Sequence, residues 1–431
     1  MGEWRIEALG NLGFTYTGLS GKGAADFGHG TPYIPYLNVF NNAKVDADQL
    51  EYVSIEPHER QNAVNKGDVI FTTSSETPEE VGMSSVLTKD IGTVYLNSFC
   101  FGWRLKKLEM FNSEFLAYAL RSQNIRHQML IAAQGSTRHN LSKKNFNRIY
   151  MKYPVSTAEQ SGIAEVLSGA DEAIKKTHAL IEKYRNIKEG LIQAVLTNGV
   201  DDQGRIRSPE THEYKDSPIG QIPVEWEAVT IGDITSKVGS GATPRGGQAV
   251  YEREGVLFLR SQNIAFEGLL LDDVAFINGQ IHAQMRRSWV EKYDVLLNIT
   301  GASLGRCSLY KLDQPANVNQ HVCIIRTTHS PEYAKYVHYW LCSFGQKQIN
   351  LLMAGGNREG LNFGQIKHIK LPRIDDTDEL HRIMAILNTA DEKIQTEQAY
   401  LIKLRDIKQG LMQDLLNNAV SVDTLLKEGG E

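Results

Sequence analysis

The sequence predicts an α+β protein assembled from two copies of one unit. Each copy is an α+β globular part followed by a long helix, and the two helices pair antiparallel as a coiled coil, giving a pseudo-twofold internal repeat. Three observations predict this. Residues 158–200 align without a gap on residues 378–420, with 18 identities in 43 positions. Both stretches carry an apolar repeat of 3.5 residues. The rest of each copy mixes short β-branched runs, helical periods and clusters of Gly, Thr, Asn and Ser, the pattern of an α+β domain with functional loops.

The chain has 431 residues, which a typical domain size of ~150 would divide into about three domains. The repeat replaces that count with two units. In order, the divisions are a globular part at 1–155, a spacer helix at 156–200, a linker at 201–224, a second globular part at 225–375, a second spacer helix at 376–420 and a tail at 421–431. The globular parts match more loosely at a similar offset: Glu3-Trp4 with Glu225-Trp226, Gly135 with Gly355, Leu141 with Leu361, Ile149 with Ile369. Asp68–Thr73, Val256–Leu259, Val295–Ile299 and Val322–Arg326 read as buried strands, and Asn112–Gln128 and Pro331–Gln348 as helices.

The first helical seam steps through Ile163, Leu167, Ala170, Ile174, Thr177, Ile181, Tyr184, Lys188, Leu191 and Val195. The second steps through Ile383, Leu387, Ala390, Ile394, Glu397, Leu401, Leu404, Lys408, Leu411 and Leu415. Thr157 with Gln160 fits a capping box, and Asp376 with Glu379 a box-like start. Pro154 and Pro372 precede the two starts, where proline does no harm. Some 40 residues make a rod of about 60 Å. Neither rod buries its stripe alone. Antiparallel pairing needs only a short route through the polar, turn-rich linker, and a dumbbell is the expected shape. Ile187, Ile192, Leu196, Ile407, Met412 and Leu416 exceed what one seam needs and are assigned to an outward, partner-binding face.

With 41% hydrophobic and 23% charged residues the chain reads as globular. No apolar run approaches the ~18 residues of a membrane span, so no membrane partner is expected. The start Met-Gly-Glu-Trp-Arg lacks a signal-peptide pattern, and Ile6 stands where a myristoylation motif needs Ser or Thr. Cys100, Cys307, Cys323 and Cys342 form no Cys-x-x-Cys pair, which points to a reducing cytoplasm. The histidines do not cluster at metal-ligand spacing, and no metal site is assigned.

A net charge of −5 argues at first against a nucleic-acid partner. Its distribution argues otherwise. Residues 376–431 carry 6 basic against 11 acidic side chains, whereas residues 101–155 carry 10 against 2 and residues 319–373 carry 7 against 2. Equivalent stretches of the two copies are basic, as phosphate binding requires.

Candidate contact loops lie in or beside these stretches. The first is Gln134–Lys144, with Ser136, Thr137, Arg138, Asn140, Lys143 and Lys144. Its partner, 355–362, supplies Asn357, Arg358 and Asn362. Gly239–Arg245 supplies Thr243 and Arg245, the segment after a predicted strand supplies Arg260, Gln262 and Asn263, and the loop Asn298–Arg306 ends on Arg306. Glycine lets backbone approach a phosphate, and Arg and Asn can bond bidentately to base edges. A loop of this kind taken alone is an ordinary surface loop; recurrence in both copies singles these out.

Motifs of catalysis are missing. No phosphate loop of the Gly-x-x-x-x-Gly-Lys-Ser/Thr type occurs, no Gly-x-Gly-x-x-Gly follows a strand, and no Asn/Asp-Pro-Pro-aromatic tetrapeptide of amino-methyltransferases appears. Neither His-Glu-x-x-His nor Gly-x-Ser-x-Gly is present. Asp68 and Asp294, just before apolar strands, read as strand-start residues, and no catalytic residue is assigned.

The doubled architecture, the helical repeats reading Ala-Asp-Glu…Ile-Lys-x-Gly-Leu-x-Gln, the linker Ser217–Trp226, and the segments Gly135–Arg138 and Gly241–Pro244 resemble the specificity subunit of type I restriction-modification systems. The resemblance covers essentially the whole chain. It implies that 1–155 and 225–375 are target recognition domains, each reading one half of a split double-stranded DNA sequence, and that the paired helices fix the gap between the halves. It implies two modification subunits that methylate adenine with S-adenosylmethionine, and restriction subunits that carry an ATP- and Mg-dependent translocase and nuclease. No cofactor is then expected in this chain. The two halves differ, which predicts an asymmetric target. Two readings from other classes stay open at this point: a coiled-coil scaffold or adaptor that reads no DNA, and a methyltransferase or nuclease with unrecognised motifs.

Overall fold

The computed structural model describes residues 2–354, 360–422 and 424–425. They form two compact units: Met1–Ala179 with Gln398–Glu431, and Leu180–Glu397. Each unit thus takes one globular part, half of the long helix that follows it and half of the other long helix. A simple reader-plus-own-rod division does not hold, because the start of each helix packs against the end of the other.

The helices span Thr157–Asn198 and Thr377–Leu416. Every one of the twenty seam positions named above is buried or half-buried, as a 3.5-residue stripe facing a partner requires. In the first unit Asp171 pairs with Lys408 and His178 lies 2.9 Å from Arg405; one helix number rises as the other falls, so the pairing is antiparallel. In the second unit Lys188 pairs with Asp391, and the Lys393 ammonium lies over the Tyr184 ring. That pairing is antiparallel too.

The helix starts differ from their expected caps. Ser156 Oγ, not Thr157, accepts the Glu159 N–H. Gln160 is fully buried, and its amide bonds Met110 O, Pro154 O and the Asn112 N–H. Glu379 is likewise buried, accepting from the Val200 N–H and Trp226 Nε1 at 3.1 Å each and pairing with Arg207. Tertiary hydrogen bonding outcompetes the local box in both cases. Burial pushes the Glu379 carboxyl above its usual range, with Trp226 and Arg207 opposing.

The core of the first unit carries a four-stranded antiparallel sheet in the order Gly13–Thr17, Cys100–Leu105, Val69–Thr72, Ser84–Val86. The core of the second carries the corresponding sheet in the corresponding order: Thr235–Ser240, Val322–Thr327, Val295–Asn298, Cys307–Leu309. In each unit a short ladder ties the start of the globular part to the strand before its long helix, Trp4–Ala8 with Tyr150–Pro154 and Glu227–Thr230 with Lys370–Arg373. Asp68 and Asp294 hold the sheets at the predicted strand starts. Each is buried, each takes two hydrogen bonds from an arginine of the adjacent strand, Arg104 or Arg326, and each accepts a loop N–H. A buried, fully paired carboxylate is structural.

The two expected globular helices are each broken. Ser113–Ala119 and Gln123–Ala132 meet at residues 120–122, and Pro331–Cys342 and Phe344–Ala354 at Ser343. Asn112 and Ser330 cap the first helix of each pair. The linker is ordered: Tyr214–Ser217 and Gly220–Pro223 form a hairpin, and Arg207 reaches Glu379 at 3.1 Å. Arg207 and Glu379 lie far apart in sequence, so this pairing does not show in the linker's polar, turn-rich composition.

Candidate nucleic-acid interface

Strand register places the candidate loops. In the second sheet Ser240, Asn298, Cys307 and Val322 or its neighbour Cys323 lie side by side, so the loops at 241–245, 299–306 and 319–321 leave the same end. In the first sheet Thr17, Thr72, Ser84 and Cys100 mark the corresponding end.

In the first unit a tight loop projects there. Gln134 and Asn140 exchange backbone hydrogen bonds of 3.0 and 2.8 Å, and His139-Asn140 pairs with Ser74-Ser75. Ser136, Thr137, Arg138 and Asn140 are all exposed. Gly135 has φ 127°, and a Cβ there would lie 2.1 Å from the Arg138 carbonyl oxygen, so the turn needs glycine. Arg138 Nε donates to Ser74 Oγ at 3.1 Å, and its guanidinium lies over the exposed Phe99 ring. That contact pre-orders the arginine and leaves donors free. Lys143 and Lys144 follow on the short helix Lys143–Phe146, capped by Ser142; Lys144 is exposed and Lys143 half-buried.

In the second unit a polar chain fixes three loops. Thr243 Oγ1 donates to Gln320 Oε1 at 2.6 Å, Gln320 Nε2 lies 3.0 Å from His321 Nε2, and His321 Nδ1 lies 2.5 Å from Thr300 Oγ1. The Leu361 N–H bonds Ile299 O, which brings a fourth loop alongside. Thr243, Arg245, Arg306 and Asn362, distant in sequence, therefore lie on converging loops, and all four are exposed. The chain approaches itself closely here: a Cβ on Gly241 would lie 1.7 Å from Val318 O.

Several expected contact residues are otherwise engaged. Asn263 is 2% exposed, and its amide bonds Leu270 O and Asp273 O while its oxygen accepts the Arg260 N–H. It closes a turn and is unavailable to a base edge. Arg260 donates to Asp273 O and Gln262 to the Asp273 carboxylate. Asn298 is fully buried. The oxygen of Asn362 caps the helix Phe363–Lys367, leaving only its amide nitrogen. Asn357 and Arg358 lie outside the described residues.

The basic stretches are also partly consumed. Arg104 and Arg326 hold the buried aspartates, and Arg121 donates to the carbonyls of Val39, Phe40, Asn42 and Ser84. Burial pushes the Arg121 guanidinium down to about 10. Conversely, the fold adds residues that the sequence reading passed over. A cleft of about 600 Å³ is lined by Ser240, Gly241, Ala242, Arg286 and Arg287. Both arginines are exposed, and Arg286 lies over the Trp289 ring. The adjacent pair Arg286-Arg287 was the available signal, but its nearness to residue 241 exists only in the fold.

The outward helical face is smaller than expected. Ile187 is 44% and Ile407 45% exposed, whereas Leu196 and Leu416 belong to the cores at 0% and 6%. Those two lie where the helix ends dive into the globular parts. Ile192 and Met412 are half-buried against the same cores. In the second unit Ile187 borders a groove of about 440 Å³ with Tyr184, Leu191, Ile386 and Lys393. Tyr400 and Ile402, which sequence reasoning missed, are 49% and 60% exposed in the first unit.

A family model described as the type I restriction modification DNA specificity domain matches residues 25–183 and 223–405. The chain belongs to this specificity-subunit family. It is 22% identical over 401 residues to the type I restriction enzyme MjaVIII specificity subunit of Methanocaldococcus jannaschii, covering 91% of this chain and 87% of that one. The fold resembles a type I restriction-modification system S subunit from M. genitalium, with a TM-score of 0.54 at 16% identity and 96% of each chain covered. It also resembles a chain from a structural study of complex assembly and conformational transition of the type I R-M system, with a TM-score of 0.60 at 15% identity, covering 96% of this chain and 97% of that one. Among the described residues no helix is long and apolar enough to cross a membrane.

Proposed function

We propose that this chain reads a bipartite, asymmetric DNA target, one half with each target recognition domain, for a type I restriction-modification complex. The observation that carries the proposal is the doubled sheet with polar, arginine-bearing loops at the corresponding end of each copy. Two copies of one reader bind two half-sites, and divergence of their loops makes those half-sites different. Arg138, Arg245, Arg306, Arg286 and Arg287, exposed on or beside these loops, would supply the donors for phosphates or guanine edges.

The exposed Ile187 and Ile407, with the groove beside Ile187, fit two modification subunits docking at related positions. Restriction subunits would join through that assembly. S-adenosylmethionine, ATP and Mg would act in those partners, and this chain would position them. A gel shift with duplex DNA over a salt series tests the reading. Counterion release predicts a steep, log-linear loss of binding with salt, whereas salt-insensitive or absent binding would favour a scaffold. Incubating the isolated chain with labelled S-adenosylmethionine and DNA should transfer no label.

A further inference from the structure

Cys307, His338 and Cys342 lie in the second unit, with their sulfur and nitrogen atoms all within 4.8 Å of one another. His338 and Cys342 are four residues apart on the helix Pro331–Cys342, so both point from one face. Cys307 opens the strand Cys307–Leu309, against which that helix packs. Cys342 Sγ lies 3.4 Å from His338 Nε2, a separation that two ligands of one tetrahedral ion span. From these three side chains we infer a soft-metal site, with Zn²⁺ as its ion.

The donor set selects the metal. Two sulfurs and an imidazole suit zinc and exclude magnesium and calcium, which take oxygen. Two thiolates balance the ion's charge, so the buried site would be neutral, and burial would not oppose it as it opposes a lone ion. His338, though neither cysteine, lines a cavity of about 340 Å³ with Lys188, Tyr339 and Asp391, and a fourth ligand would have to reach the ion from that side. The ion would staple the helix Pro331–Cys342 to the strand that follows Arg306, fixing the base of one contact loop.

Cobalt titration of the purified, reduced full chain tests it. One Co²⁺ per chain should bind with a thiolate-to-metal charge-transfer band and be displaced by Zn²⁺. His338→Ala, at a half-buried position, and Cys342→Ser should each weaken binding at least about tenfold, while Cys323→Ser, a buried cysteine outside the set, should not. Absence of the band in the unsubstituted chain would overturn the site, as would a band that His338→Ala leaves unchanged. Should Cys342→Ser fail to fold, the unsubstituted chain and His338→Ala decide the matter alone.

Discussion

Asp171 and Lys408 form an ion pair of 2.5 Å between the two long helices, and their counterparts Asp391 and Lys188 form the same pair at 2.5 Å with the helices' roles exchanged. Each pair is roofed by a tyrosine from its globular part. Tyr118 donates to Asp171 at 2.8 Å with Lys408 over its ring, and Tyr339 donates to Asp391 with Lys188 over its ring. Burial pushes both phenols above their usual range, so they stay protonated and donate. One aspartate in each unit thereby joins a recognition domain, its own helix and the partner helix.

Asp171→Ala should therefore cost about 1–2 kcal/mol, since it strands the half-buried Lys408 ammonium and leaves the Tyr118 hydroxyl only Ser168 as a partner. Asp391→Ala should cost at least as much, since Asp391 is the partner of the Tyr339 hydroxyl, and the two should add because they act in different units. Chemical denaturation of single and double variants checks this. The swap Asp171→Lys with Lys408→Asp should recover part of the loss.

Much of this frame was legible in the sequence. The 220-residue offset and the 3.5-residue seam predict two units and two paired helices because periodicity is a local property of the chain. The Tyr118–Asp171–Lys408 cluster was not legible, since it joins three segments whose approach only packing decides. The same reason hid Arg286 and Arg287 beside Gly241. It also explains Gln160, which reads as a cap but is buried by hydrogen bonds to residues some 50 positions away; Asn263 differs, since it reads as a contact residue but closes its own turn onto Arg260, Leu270 and Asp273. Within the metal set, His338 and Cys342 carried a local signal in their i, i+4 spacing, and Cys307 carried none.

Loop residues should separate by what they touch. Arg286→Ala with Arg287→Ala should weaken binding to every duplex and reduce the log–log salt slope by about two if both meet phosphates. Arg306→Ala should instead relax specificity within one half-site. Asn263→Ala should lower stability by about 1–3 kcal/mol and leave the target unchanged. Binding isotherms over a salt series, run beside melting curves, distinguish the three.

Charge on the outward face should break the assembly without unfolding the chain. Ile187→Asp with Ile407→Asp places carboxylates at positions already 44% and 45% exposed, where substitution costs little stability. Co-purification with the modification subunit should be lost while DNA binding by the chain persists. An intact complex would remove these residues from the docking surface.

The helices should act as a length standard. Inserting four residues near Thr177–Lys183, with a matching insertion in the partner helix, adds about 6 Å of rise. The non-specific gap should lengthen by one or two base pairs, and both half-site sequences should stay as they were. Selection from a random duplex library reads both quantities at once.

Two different readers on one chain should leave their mark on the methylome of cells expressing this chain with its modification partner. One methylated motif made of two unlike half-sites separated by a fixed unspecified gap is expected. A continuous motif, a palindrome or no sequence preference would contradict it.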